Sequence, residues 1–566
     1  MVVIALTIFD KHRLFDTLLK TPTQTPPWQP PGGVFYFRFL IRAIRKIRIP
    51  NAFYILFNMS LTPSFNEFSR LAQQGNVVPV SLSMLADTFT PVSIFLQLAA
   101  AQRHAFLLES VEGGEKIARY SFLGVAPRLI VRYHQAGAKL QFEKTQPEFS
   151  FIDDETAPTD IFTYLQNAHK KFRSVRVNGL PRFTGGFVGY FGYNTVRDLE
   201  QLPSSPSAQK KIPDAALSFP DAEFGLYDTV IAFDHVRQQI LLITNVFLET
   251  GELNLRRRYE EAVERLEKIR RQISAPLELP ETPSASPPEP RSNFPRPKFI
   301  AAVANAKEHI AAGDIFQVVL SQRFSSALSV APFQIYRALR RINPSPYLYF
   351  LKHEENCLIG SSPEALLRVE NRVAEVRPIA GTRRRGTDAA EDQRLEEELR
   401  TDAKERAEHL MLVDLGRNDL GRVCEFASVE VNELMMIERY SHVMHLVSNV
   451  RGKLRLELDA IDAIRACFPA GTVSGAPKIR AMEIIEDLEP EPRGPYAGAV
   501  GYFDFSGNLD TCITIRTIWT QGQQAFFQAG AGIVADSDPA REYLETIEKS
   551  RAVWNAIDLA ERGLET

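Results

Sequence analysis

T-D-A-K-E-R-A-E-H, residues 401–409, and R-E-Y-L-E-T-I-E, residues 541–548, each carry two glutamates three residues apart: Glu405 with Glu408, and Glu542 with Glu545. Both stretches read as helices, and residues three apart on a helix share one face, so each pair aims two carboxylates at one point. Four carboxylates brought together need a cation. Oxygen ligands without thiolates suit a hard ion, and Mg²⁺ combines a few protein carboxylates with water and an anionic substrate.

Working outward, Asp538 followed by Pro539 is a helix start, because Asp caps free amides and Pro suits the first helical position. Glu542 then falls in the opening turn, where the helix dipole favours a carboxylate. The first pair lies in what reads as one long helix from Ala389 to Leu415, with Leu395, Leu399, Leu410 and Leu412 among alternating charges. Phe299 to Ala312 reads as a helix closed by Gly313, and Phe316 to Leu320 as a strand. Arg516, flanked by Ile515 and Ile518, reads as a strand residue.

Upstream, residues 275–297 carry eight prolines among Ser, Thr and Glu, which cannot hold a helix or a central strand. This segment is the sequence boundary between residues 59–274 and 298–566. In the first part, Ala105 to Leu108 and Thr229 to Phe233 read as buried strands, and Asn254 to Ile273 as an amphipathic helix. F-T-G-G-F-V-G-Y-F-G-Y, residues 183–193, reads as a tightly packed strand or turn. The whole implies an α+β fold of layered sheets with helices outside.

Residues 1–58 differ from the rest: short apolar runs, a basic piece around Arg42, Arg45, Lys46 and Arg48, and no Ser before Ser60. They match neither a Ser-rich transit peptide nor a signal sequence, whose apolar run follows a basic start. The reading is that Met59 is the working start and the leader is upstream in-frame sequence. A membrane-surface anchor is the alternative.

The 566 residues have a net charge of −3, which gives no electrostatic reason to expect nucleic acid. Four widely spaced cysteines without C-x-x-C neither staple a secreted scaffold nor bind zinc, so a reducing cytoplasm is the default. No apolar run approaches a membrane span of about 20 residues.

Further motifs occur in fixed order: P-S-P-Y (344–347), G-S-S-P-E (360–364), R-P-I-A-G-T-R (377–383), L-V-D-L-G-R-N-D (412–419), H-V-M-H (442–445), G-T-V-S-G-A-P-K (471–478) and Q-A-G-A-G-I-V (528–534). Together with residues 401–409 they resemble the chorismate-utilising enzymes, most closely the large subunits of anthranilate synthases, from about Asn66 to Leu559. G-T-V-S-G-A-P-K is not a Walker A loop, having three residues between its glycines and Pro before Lys.

The resemblance implies a reaction in which chorismate gains nitrogen at C2, loses its C4 hydroxyl, and then loses pyruvate. It casts Glu364 as the general acid for the hydroxyl, with a pKa raised by burial, and His445 as the base for the elimination, with Thr472 beside them. Gly381, Thr382, Tyr496 and Arg516 match substrate contacts, and Gly530, Ala531 and Gly532 match backbone donors to a carboxylate. Glu405, Glu408, Glu542 and Glu545 match the Mg²⁺ ligands. Ser110 in L-L-E-S, with Pro346, Tyr347 and Leu348, matches a tryptophan feedback site.

Two positions separate branches of the family. Aminodeoxychorismate synthases of the closest type, in folate synthesis, carry Lys where this chain has Ala380, and isochorismate and salicylate synthases activate water with Lys where it has Gln317. Neither residue here can serve as nucleophile or base, so external ammonia is the expected attacker, with the aminodeoxychorismate reaction as the alternative. None of the four cysteines lies in a G-x-C-x-G nucleophile turn. A separate glutamine amidotransferase subunit is therefore the implied partner.

Overall fold

The strand His104–Glu109 shows how the fold is layered. Phe106 belongs to one buried cluster, while its neighbours Ala105 and Leu107 belong to another. Tyr347–His353 repeats the pattern, with Tyr349 and Leu351 on one side and Leu348 and Phe350 on the other. Alternate side chains of a strand point to opposite faces, so a strand buried on both reads as a continuous apolar run.

We describe a computed structural model, which covers residues 61–564 apart from 111–118, 136, 146–157, 159, 204–218, 250, 278–286 and 441–442. The expectations about Met59 and the basic leader lie outside the described residues, as does the middle of the Pro-rich segment.

Among the described residues two large antiparallel sheets form the molecule. The first has 13 strands, ordered Leu61–Thr62, Val77–Leu85, Gln239–Phe247, Thr229–Asp234, Tyr120–Val125, His104–Glu109, Tyr347–His353, Asn356–Ser362, Thr517–Gln521, Gln524–Ile533, Gln317–Ala327 and Arg291–Ser292, with Gly475–Ala476 pairing alongside. The second has 11, ordered Ile379–Arg384, Val443–Lys453, Val373–Val376, Ala365–Glu370, Leu509–Ile513, Ala499–Asp504, Gly186–Phe191, Ala222–Tyr227, Leu129–His134 and Lys139–Lys144, with Glu430–Arg439 on Val443–Lys453. Both sheets draw strands from either side of the Pro-rich segment, and Ser60–Thr566 packs as one unit. The sequence boundary is therefore crossed by the sheets themselves: His104–Glu109 pairs with Tyr347–His353, and Gly186–Phe191 with Ala499–Asp504.

One core lies between the sheets, where aromatics such as Phe106, Phe187, Phe224 and Tyr502 are buried. The outer face of the first sheet is covered by helices, including Leu255–Ile273, Pro332–Ile342 and Pro539–Glu561. None of the described helices is long and apolar enough to cross a membrane. All four cysteines are buried and unbridged.

Two expectations need correction. Ala389–Leu415 is not one helix but two, Ala389–Thr401 and Ala403–Gly421. Asp402 leaves helical geometry at ψ 113°, and its carboxylate accepts from the backbone N–H groups of Lys404 and Glu405 at 3.0 and 3.1 Å. An Asp that can cap a new helix competes with continuing the old one. Arg516 is not in a strand: it follows Leu509–Ile513, precedes Thr517–Gln521, and has φ 52°.

Candidate active site

Both carboxylate pairs begin in the first turn of a helix. Glu405 opens Ala403–Gly421 after the Asp402 cap, and Glu542 opens Pro539–Glu561 after the Asp538 cap. The helix N-terminus favours their charge in each case. Glu408 is pushed above its usual range by burial, and the Glu405 charge beside it adds to the rise. Glu542 is likewise raised by burial, with Glu545 adding to it.

A cavity of about 220 Å³ opens between strands of both sheets and these helices. Its wall includes Glu364, Thr382, Glu408, His445, Thr472, Tyr496, Arg516, Gly530 and Gly532. Gly381 and Ala531 stand behind that wall. Gly381, at φ 66°, offers its carbonyl to His445, and Ala531 is packed in the core under the helices.

Glu364 sits in the turn between Asn356–Ser362 and Ala365–Glu370 and is 8% exposed. Burial raises its pKa to about 8, against the opposing pull of the Thr472 hydroxyl and the Ile379 backbone. It is therefore a carboxylic acid at neutral pH, able to donate a proton. His445 lies on Val443–Lys453, with Nδ1 3.1 Å from the Gly381 carbonyl and 3.0 Å from the Thr382 hydroxyl. Its pKa is lowered, mainly by burial, so the ring is neutral.

Gly530 and Gly532 lie on Gln524–Ile533, paired with Ser321 and Val319 of the next strand. The strand on the other side pairs only as far as Phe527, so among the described residues the edge beyond it has no strand partner there. A side chain at Gly530 would stand 2.7 Å from the Tyr496 hydroxyl, and one at Gly532 2.7 Å from Gln317 Nε2. Glycine lets the backbone reach the cavity.

The four glutamates of the two pairs do not converge on one point. Among the described residues, no three of them bring ligand atoms within 4.8 Å of one another. Glu405 is ion-paired with Arg383 at 3.0 Å and Glu545 with Lys549 at 2.7 Å, while Glu408 accepts from Gln317 Nε2 at 3.1 Å. The donor chemistry nevertheless fits a hard cation: oxygen-only ligands, two of them raised by burial and further by a neighbouring carboxylate.

Ser110, Pro346, Tyr347 and Leu348 come together elsewhere, on a larger cavity of about 960 Å³. Pro363 and Ile379 line both cavities, so the two share a wall next to Glu364.

Comparison with known proteins settles the family. The model of the family described as chorismate binding enzyme matches residues 126–555. Anthranilate synthase component 1 of Acetivibrio thermocellus is 46% identical over 88% of this chain and 99% of its own length. That of Pseudomonas aeruginosa is 47% identical over the same shares. The chain belongs to the anthranilate synthase component 1 branch of the chorismate binding enzymes. The crystal structure of anthranilate synthase component I from Streptococcus pneumoniae covers 83% of this chain and 98% of its own, at 34% identity and a TM-score of 0.65. The menaquinone-specific isochorismate synthase of Escherichia coli shares the fold at 19% identity and a TM-score of 0.61.

In this chorismate binding enzyme, Ala380 and Gln317 both line the smaller cavity, so the two branch-separating positions face its interior. Sequence reasoning missed the residues that hold the site in place. Lys549 donates to the Gly530 carbonyl at 3.1 Å and pairs with Glu545; its place four residues after Glu545 was the available signal. Arg493, 2% exposed, donates to both oxygens of Glu489 at 2.9 and 2.6 Å and to the carbonyls of Val473 and Val319 at 2.7 Å each. Glu489 in turn accepts from the Ser321 N–H and hydroxyl, both at 2.8 Å. This network fixes the turn Gly471–Val473, which carries Thr472, and no periodicity signals it.

Proposed function

We propose that this chain is the chorismate-consuming component of an anthranilate synthase, converting chorismate and ammonia to anthranilate, pyruvate and water. The observation that carries the reading is one cavity wall holding a protonated carboxylic acid, Glu364, and a neutral imidazole, His445. The reaction needs those two groups in those two states. Glu364 donates its proton to the departing C4 hydroxyl as ammonia adds at C2. His445 then takes the C2 proton while the enolpyruvyl C–O bond breaks, which makes the ring aromatic and releases pyruvate.

Arg516 offers a guanidinium at the cavity, oriented by its bond to the Lys549 carbonyl at 2.8 Å, and suits a substrate carboxylate. The Gly530 to Gly532 backbone and the Tyr496 hydroxyl take the other. Glu405, Glu408, Glu542 and Glu545 are the residues that would hold Mg²⁺, a Lewis acid for the ring carboxylate when bound. Arg383 and Lys549 would then release Glu405 and Glu545.

With alanine at 380 facing the cavity, the wall supplies no nucleophile there, and ammonia must come from outside. A glutamine amidotransferase component is the partner this implies. Tryptophan in the larger cavity would inhibit by favouring a low-activity conformation, transmitted through the shared Pro363 and Ile379 wall. The test is to incubate the purified chain with chorismate, Mg²⁺ and excess ammonium. Anthranilate and pyruvate formed in equal amounts support the reading; an aminated product that keeps its enolpyruvyl group sinks it.

A further inference from the structure

Apart from the residues that line the two cavities, the two sheets bring three chemistry-bearing side chains together. His104 and His353 stand directly opposite each other across the pair His104–Glu109 and Tyr347–His353 in the first sheet. Glu223 reaches them from Ala222–Tyr227 in the second. The three are 3%, 4% and 2% exposed, and their ligand atoms all lie within 4.8 Å of one another.

Hydrogen bonding does not account for this meeting. His353 Nδ1 stands 3.1 Å from Glu223 Oε1, an ion-pair contact that leaves both nitrogens of His104 and Nε2 of His353 without a hydrogen-bond partner among the described residues. Buried polar atoms without partners are costly, and two adjacent imidazoles left this way call for an explanation. A separation of 3.1 Å is close to the edge of a tetrahedron with bonds of about 2.0 Å, the length of a zinc–nitrogen or zinc–oxygen bond.

We propose that His104, His353 and Glu223 form a binding site for one divalent transition-metal ion of the zinc class, which clips the first sheet to the second. Two imidazoles and a carboxylate prefer such an ion over Mg²⁺ or Ca²⁺. Glu143, with Oε2 3.8 Å from His104 Nε2, is placed to complete the shell, or water takes the fourth position. Arg132 holds Glu223 at 3.1 Å and Glu143 at 3.0 Å, orienting both carboxylates from behind. The surrounding charges allow the ion: Glu143, Glu223 and Glu354 outnumber Arg103 and Arg132. Arg103 and Glu354 are partly exposed, so the cluster lies close to solvent.

The test uses the tag-free full chain after chelator treatment, titrated with Co²⁺ alone and then displaced by Zn²⁺. The expected result is one equivalent of Co²⁺ with the visible absorption of a four- or five-coordinate ion, lost in His353→Gln and His104→Gln but kept in Glu542→Gln. Zn²⁺ should raise the Tm of the parent by several degrees and leave that of His353→Gln unmoved. If the substitutions disturb folding, X-ray absorption of the Zn²⁺-loaded parent decides, with two imidazoles in the shell expected. No Co²⁺ absorption in the folded parent, retention in both folded histidine variants, or an oxygen-only shell overturns the site.

Discussion

His445 Nδ1 lies 3.1 Å from the carbonyl oxygen of Gly381. A carbonyl can only accept, so Nδ1 carries the proton and Nε2 keeps the lone pair. The backbone of R-P-I-A-G-T-R thus sets the tautomer that a base on this strand requires. His445→Ala should leave amination working and stop the elimination. Chromatography of the reaction should show an aminated product that retains its enolpyruvyl group, with anthranilate down by about 10² or more. Anthranilate at the parental rate would remove His445 from the mechanism.

The pH profile should be bell-shaped. The acid limb belongs to His445, whose pKa is lowered by burial, and falls below the ordinary imidazole range. The alkaline limb belongs to Glu364, and kcat/KM should decline as pH rises past about 8. In Glu364→Gln turnover should drop by about 10² to 10⁴, and the alkaline limb should vanish from what remains. An alkaline limb unchanged in that variant assigns it to another group.

Stability follows the same carboxyl with a definite sign. The folded pKa of Glu364, about 8, is above its ordinary value of 4.5, so the folded state holds this proton more tightly. Its contribution is fully present below pH 4.5 and lost as pH rises through about 8. Glu364→Gln cannot ionise, so it should gain on the parent at pH 9 by up to a few kcal/mol, at about 1.4 kcal/mol per pKa unit. Denaturant melts at pH 5 and pH 9 measure it, and equal differences at both would contradict the account.

Much of this was legible because motif and local physics agree. Asp538-Pro539 predicted a helix start and Ala105 to Leu108 a buried strand, and both follow from one-dimensional signals. The break at Asp402 was missed because charge alternation continues across it, although the capping residue was visible. The turn holding Arg516 at φ 52° left no mark, since isoleucines on both sides look like strand. The Arg493–Glu489 network joins elements distant in sequence through carbonyls, which no side-chain pattern reveals.

That network supplies another expectation. Removing one partner strands the other as a buried charge, so Arg493→Met should cost about 3 to 5 kcal/mol. It should also lower kcat by loosening the turn under Thr472. Chemical denaturation and steady-state kinetics measure the two effects, and a variant as stable as the parent would show the pair to be dispensable.

The larger cavity gives a regulatory expectation. Ser110→Phe should fill space beside Tyr347 and Leu348 and abolish tryptophan inhibition, while kcat stays within about twofold, because Ser110 does not line the smaller cavity. Inhibition curves with and without tryptophan decide it. A parent that tryptophan does not inhibit, or unchanged sensitivity in the variant, would count against a tryptophan site in this cavity.

His104–Glu109 finds its neighbour Tyr347–His353 only beyond the Pro-rich segment, and Gly186–Phe191 waits still longer for Ala499–Asp504. On a ribosome the first part emerges with apolar strand edges that nothing yet made can cover. The nascent chain must keep those edges from self-association until nearly the whole polypeptide exists. A gene split at the prolines would yield two fragments, each leaving strands of both sheets without the neighbours the other supplies.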